Sequence, residues 1–495
     1  MALGRGYALP FVAGKQGAGG GGGAYGLIWQ DAVNDNVPPL TIEDGNAGQG
    51  SCLFTRGKDL YDKQVSATPS LLIVPQMYGS GKLSVDIPSP EFFNVTRATT
   101  ATRVNSSGLI ESVASGVPRL DWYATPAAQD QPATGCPALL VEPSAQNLAF
   151  QSQAFDVSGN WTQSNVTVTP NVTATLDPAG GNTADLLADS VTTGSTSHRI
   201  YTTPVPASAG SISVVSGTTY STSLFVKAGT SSVLRIVLRA SNEAVIGIGD
   251  TIFNVTSGTI TSGSGTIENY GNGWYRCTNI GTSNFTGGAR IFINLYDTAG
   301  NQSYIGTAGT NNMYIWGAQL ETGSVATTYI PTTSGAVSRA ADVISASGAV
   351  VSGLIGQTEG TLYAEVAYSS IPATKAIITI TDGTVNNRIA VRINATTQMS
   401  ATVVVLGTSY ALNQAISAIP SSGILKMAFA YKANDYAFSI NGTTYADTTT
   451  RPVPATNAVT LGNNGFSTDF FNDRIRAAAL YTTRLSNDQL ATLTS

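Results

Sequence analysis

The side chains in this sequence best suited to chemistry are aromatic residues on turn-like stretches and carboxylates on loops. Trp161 in GNWTQS and the adjacent pair Trp274-Tyr275 in GNGWYRC offer flat faces for stacking on sugar rings. Phe466, Phe470 and Phe471 crowd a second stretch, GNNGFSTDFFND. Loop aromatics assisted by Asn, Asp and Arg donors are the chemistry of saccharide recognition. Two regions also carry hard-cation ligand types: Asp382 and Asn386 in TDGTVNN, and Asn464, Asp469 and Asp473 in GNNGFSTDFFND. Oxygen ligands of this kind suit calcium, and no EF-hand spacing accompanies them. Each has a structural alternative: a core ring for the aromatics, a solvated turn for the carboxylates. In NGWYR, strand alternation must turn either Trp274 or Tyr275 inward.

Catalysis finds less support. His198 is the single histidine, in TSHRIYTTPV, and no GxSxG elbow accompanies it. A Ser-His-Asp hydrolase needs an oriented base with a partner acid, so His198 is expected as a polar strand residue. A glycosidase needs two carboxylates facing across a cleft, roughly 5–10 Å apart. The 30 Asp and Glu residues are scattered, so a pair brought together by folding stays open. Cys52, Cys136 and Cys277 show no metal or redox spacing and are expected as buried free thiols. No catalytic residue is assigned.

Period-two patterns dominate the elements that must position these residues. SVLRIVLRAS sets Leu234, Ile236 and Leu238 on one face and Arg235, Val237 and Arg239 on the other. RIFINLYDT alternates Ile291, Ile293 and Leu295 with Phe292, Asn294 and Tyr296. One apolar face per strand predicts half-buried antiparallel sheets. Asn272-Gly273, Asp382-Gly383 and Asn441-Gly442 punctuate the runs as turns. Ser486 is predicted to cap a two-turn helix over NDQLATL. In MYIWGAQLETGSVATTYIPT, Tyr314 and Trp316 share one strand face, and Trp316 is expected to be buried in the sandwich. The ribbon through Ala341 is expected to be a hinge.

A length of 495 residues accommodates two to four domains, and only 11% of residues are charged. A net charge of −5, with basic residues never clustered beyond pairs, excludes electrostatic capture of nucleic acid. No apolar run reaches the roughly 18 residues of a membrane span. SLLIVPQMY, broken by Pro75, is expected as a buried strand or subunit interface. MALGRGYALPFVAG lacks the charged and long apolar regions of a signal peptide.

The run FNVTRATTATRVNSSGLIESVASGVPRLDW, followed by CPALLVEPSAQNLAFQSQAF, resembles a segment of tailed-bacteriophage virion proteins. The matching residues are Thr96, Arg97, Ala98, Ala101, Thr102, Pro118, Arg119, Asp121, Leu139, Leu140, Glu142, Asn147 and Leu148. SGTTYSTSLFVKAG, ENYGNGWYRC and MYIWGAQLETGSVATTYIPT resemble the carbohydrate-binding-module-like jelly roll of those proteins, and the last third is similar to a concanavalin A- or laminin-G-like sandwich.

The resemblance implies an all-β chain of tandem antiparallel sandwiches behind a Gly-rich anchor. The expected divisions are a virion-anchoring region (1–90), an extended connector (91–140), the jelly roll (141–335) and the second sandwich (341–495). It further implies a fibre, spike or head-decorating appendage on the phage particle surface. Such a protein is expected to be homotrimeric, to contact other virion proteins through residues 1–90 and to bind host-surface glycan. Two alternatives stay open: a spacer or capsid-cement protein without a ligand, and a polysaccharide-degrading enzyme of the particle. Calcium in the second sandwich is the one cofactor suggested, by fold analogy.

Overall fold

The computed structural model describes residues 27–29, 69–74, 93–122, 137–203, 212–351, 353–368, 374–395, 398–415, 423–448, 451–466 and 468–495. Cys52, Cys136 and the glycine run 17–26 lie outside the described residues. The described chain is almost wholly antiparallel β-sheet, as the period-two patterns require. It divides into two compact units: a C-terminal unit (Met1–Ala98, Ser115–Pro143 and Ala341–Ser495) and a central unit (Thr99–Ala114 and Ser144–Ala340).

The central unit is a β-sandwich. Its six-stranded sheet runs in the order Val166–Thr169, Asp185–Asp189, Asn312–Thr322, Thr219–Ala228, Trp274–Thr282, Gly265–Asn269. The central strands of its eight-stranded sheet are Thr251–Asn254, Val233–Ala240, Gly287–Leu295 and Thr196–Thr202, with Trp161–Ser164 also paired to the last of these. Alternation sends Leu224, Val226 and Ile315 of the first sheet, and Leu234, Ile236, Ile291 and Ile293 of the second, into one shared core.

The C-terminal unit is a second sandwich, with a nine-stranded and a seven-stranded sheet around one core. Leu71–Val74, from the SLLIVPQMY run, pairs with Asp473–Tyr481 and buries Leu71 and Ile73. The described part of that run is therefore a core strand, and the expected anchoring region contributes part of this unit. Asn441-Gly442 closes a two-residue hairpin with φ of 44° and 83°, the left-handed pair that matches strand twist. The helix Asn487–Thr494 has the expected Ser486 cap, completed by Gln489 as a capping box. It lies on the outer side of the nine-stranded sheet, where Ala428, Ala430, Ala437, Ala477 and Ala479 leave room for Leu490 and Leu493.

Two expectations need correction. Residues 91–140 are not a plain connector: Asn94–Thr96 and Arg119–Asp121 join sheets of the C-terminal unit, while Ala101–Val104 and Ile110–Val113 form a hairpin in the central unit. The ribbon before Ala341 is not free chain, because Val337–Arg339 pairs with Ala145–Asn147.

The residues that carry the virion-protein resemblance form scaffold. Asp342 binds Arg97 at 2.7 Å and also pairs with Arg119, whose Nη1 reaches Glu142 at 2.6 Å, and all four are buried. Two guanidiniums and two carboxylates cancel, which is what lets this cluster leave water. Arg474 Nε donates to Asp121 at 2.6 Å. In the central unit, Asn147 Nδ2 donates to the carbonyls of Ala318 and Ile330, and its Oδ1 accepts from the amides of Ala149 and Leu320.

Candidate functional site

Most of the aromatic residues singled out from sequence are enclosed in the structure. Trp161 is 1% exposed, tilted against Phe155 in the core, and its Nε1 donates to Gln151 O at 3.2 Å. Trp274 is also 1% exposed and donates to Leu176 O at 2.9 Å. Phe470 and Phe471 belong to the core of the C-terminal unit. A ring enclosed on both faces has none to offer a sugar, so Trp161, Trp274 and Phe470 are structural. Tyr275 is the inward member of its pair, half-buried against the core. Phe466 remains half-exposed, with the Arg388 guanidinium 5.6 Å above its ring.

The oxygen-rich stretches are likewise engaged internally. Asp382 Oδ1 accepts from the Thr384 amide and hydroxyl, and its Oδ2 accepts from Asn387 Nδ2. The Asn386 amide donates to the Thr384 hydroxyl in the same turn. Asp469 pairs with Arg392 at 2.5 Å and Asp473 with Arg474 at 3.0 Å. Among the described residues, no three His, Cys, Asp or Glu side chains gather as a metal cluster. His198 is enclosed, its ring nitrogens 2.6 Å from Asn165 O and 3.2 Å from Tyr304 O, stacked on Tyr304. That is a core histidine between two carbonyls, with no serine or carboxylate partner among its described contacts.

The arrangement that can do chemistry lies on the outer face of the eight-stranded sheet of the central unit. Opposite the core-facing residues, three strands place their alternate side chains in rows. Arg235, Asn294 and Arg199 are cross-strand neighbours, as are Val237, Phe292 and Tyr201, and Arg239 stands beside Arg290. Tyr201 and Phe292 stack with centroids 4.9 Å apart and planes 26° apart. Arg199 lies 5.4 Å from the Tyr201 centroid and 5.1 Å from that of Phe292, and Arg290 lies 5.5 Å from Tyr201. Stacking holds these planar guanidiniums in place while leaving their edges for hydrogen bonds.

Two carboxylates partly neutralise the face. Glu243 grips Arg199 through two bonds of 3.1 Å. Asp250 takes Arg235 at 3.0 Å and also bonds Arg239. Arg235 further donates to Asn294 Oδ1 at 3.2 Å. Arg290 makes no hydrogen bond or ion pair with any described residue. Asn294 is 0% exposed, and its Nδ2 has no acceptor. Chemically, this is a hydrogen-bonding platform on which guanidinium donors outnumber carboxylate acceptors among the described residues.

Sequence reasoning placed Arg235, Arg239, Phe292, Asn294 and Tyr296 on the non-core faces of their strands, and the structure keeps them there. It missed that these faces, with Arg199, Tyr201 and Arg290, assemble into one surface. Pairing of strands distant in sequence creates that surface, and neither strand alone announces it.

Comparison with family models and with curated proteins returns no match. Among solved structures, the chain is similar to the CBM40 module of the Ruminococcus gnavus IT-sialidase: 16% identity, 28% of this chain, 84% of that one, TM-score 0.25. It is also similar to domain 4 of AbnA, an extracellular GH43 arabinanase from Geobacillus stearothermophilus: 16% identity, 34% of this chain, 82% of that one, TM-score 0.27. For the NanB sialidase of Streptococcus pneumoniae the identity is 14%, with 30% of this chain and 26% of that one covered, TM-score 0.26. Likeness of this strength fixes neither fold nor ligand. The two-sheet architecture stands on the strand pairing itself.

Proposed function

We propose that this chain is a non-catalytic saccharide-binding protein whose binding surface is the Arg199/Tyr201/Arg290 face of the central sandwich, with the enclosed Phe292 ring as its support. One observation carries the reading: stacked guanidiniums and aromatic rings, with donors in excess, cover one side of a rigid sheet. Sites built on strands hold their geometry without paying the ordering cost of a loop. The resemblance of residues 95–342 to tailed-phage virion proteins supports a setting on a phage particle, as a fibre, spike or decorating appendage that attaches to host-surface glycan. In that setting the part of residues 1–90 outside the C-terminal sandwich contacts other virion proteins. A homotrimer gives weak individual sites strength through effective concentration.

A glycan array probed with the full chain tests the proposal. Binding to a defined subset of glycans, weakened by Tyr201→Ala, is the expected outcome. An array silent at high protein concentration contradicts it and favours the spacer role. Release of oligosaccharide from host envelope material contradicts the non-catalytic part.

A further inference from the structure

We infer that the open face takes a saccharide bearing a carboxylate, and that the Arg290 guanidinium receives that carboxylate; this rests on the saccharide reading above. Four guanidiniums stand on the face (Arg199, Arg235, Arg239 and Arg290) against two carboxylates, Glu243 and Asp250. The face is therefore cationic in a chain whose net charge is −5. Three of the four arginines already have a carboxylate. Arg290 has none among the described residues, although it is held over Tyr201 and its Nε is enclosed without a partner there.

A fixed, uncompensated guanidinium offers a planar fork that matches a carboxylate through two parallel hydrogen bonds. A neutral sugar meets this face through hydroxyl groups alone and leaves its excess charge standing. A uronic or nonulosonic acid removes one unit of that charge at the residue that lacks a counter-ion. The neighbouring pairs act as templates for the geometry: Glu243 on Arg199 shows a carboxylate gripping a stacked guanidinium from the open side with two bonds of 3.1 Å. Asn294, enclosed in the row between Arg199 and Arg235, holds Arg235 in place through its Oδ1.

The test uses the full chain and three probes (trigalacturonate, a hyaluronan tetrasaccharide and N-acetylneuraminate), each paired with its carboxyl methyl ester. The ester keeps the ring and hydroxyl groups and removes the charge. Calorimetric titration is expected to show at least one acid bound more than tenfold tighter than its ester. Arg290→Gln is expected to reduce that ratio to near one with unchanged thermal unfolding, and Arg290→Lys to restore part of it. If neutral glycans or the esters bind as tightly as the acids, or if Arg290→Gln leaves the ratio intact, the carboxylate assignment falls while the saccharide reading stands. If none of the acids, their esters or the neutral array glycans binds, both fall.

Discussion

The two outer faces of the central sandwich are built from the same parts and have opposite fates. On the six-stranded sheet, Arg276 lies 5.4 Å from the Phe225 ring, and Trp316 and Tyr329 complete an aromatic cluster around it. On the eight-stranded sheet, Arg199 and Arg290 lie over Tyr201 and Phe292. The first face is roofed and its stacked guanidinium bonds within the fold: Arg276 donates to Ser223 Oγ and, at 2.7 Å, to Thr327 O, with Glu321 buried nearby. Trp316 donates to Thr183 Oγ1 at 2.9 Å, and Gly317 at φ 65° lets the strand bulge so that Phe225 and Tyr329 close over it. The second face keeps an arginine, Arg290, without a hydrogen-bond or ion-pair partner among the described residues. On the proposed reading, an arginine–aromatic cluster is structural where its hydrogen bonds are already spent within the fold and free to bind a ligand where they are not.

That contrast can be broken or sharpened by experiment. Arg276→Ala removes the buried donor to Ser223 Oγ and to the Thr327 carbonyl, so unfolding by denaturant should lose about 1–3 kcal/mol. Arg290→Ala should stay within about 0.5 kcal/mol, as a surface substitution does. Equal losses would erase the distinction between the faces.

A second contrast sits on one strand of the roofed sheet, Asp185–Asp189. Burial pushes the Asp185 carboxyl up to about 6 despite amide donors from Asn171 and Phe155. Burial also opposes ionisation of Asp189, yet donors from Asn311, Thr307 and Gly309 pull it below the usual carboxylate range. The raised group contributes stability that is full below about pH 3.9, its unfolded value, and is lost as pH rises through about 6. The lowered group contributes stability that is present above that unfolded value and is lost as pH falls through its folded one. Carbon-13 carboxyl titrations should resolve one midpoint near 6 and one below 3.8, the ordinary value.

Smaller effects belong to the open face. Tyr201→Ala removes the ring that supports Arg199, Arg290 and Phe292, and should cost about 1 kcal/mol in stability beyond its lost area. It should also weaken glycan binding roughly tenfold. Glu243→Gln breaks a half-exposed pair worth about 0–1 kcal/mol. Stability should barely move, while affinity for acidic glycans rises as Arg199 is freed.

Much of the fold was legible in the residues. Alternation in SVLRIVLRAS and RIFINLYDT set the core faces, Asn441-Gly442 announced its hairpin, and Ser486 announced its helix. The roof was not legible: Trp316 is buried, as expected, yet on the outer side of its sheet, where Thr183 and Tyr329 meet it through contacts far apart in sequence. The site was half legible for the same reason. Arg235 and Asn294 could be assigned a face, but only the pairing of Val233–Ala240 with Gly287–Leu295 sets them side by side. Trp161 and Trp274 misled because an indole beside a turn is as well suited to seal a core as to meet a sugar. Arg97, Arg119, Asp121 and Glu142 are engaged in buried ion pairs of the C-terminal unit, so they say little about ligands.

The central claim is that binding belongs to the open face of the central sandwich rather than to the Phe466/Arg388 surface of the C-terminal one. Side-by-side calorimetric titration of Arg290→Gln and Arg388→Gln with the best glycan from the array tests it most directly. The account predicts at least a tenfold loss of affinity for Arg290→Gln and an unchanged value for Arg388→Gln. The reverse pattern, with Arg388→Gln losing affinity and Arg290→Gln retaining it, would contradict the claim.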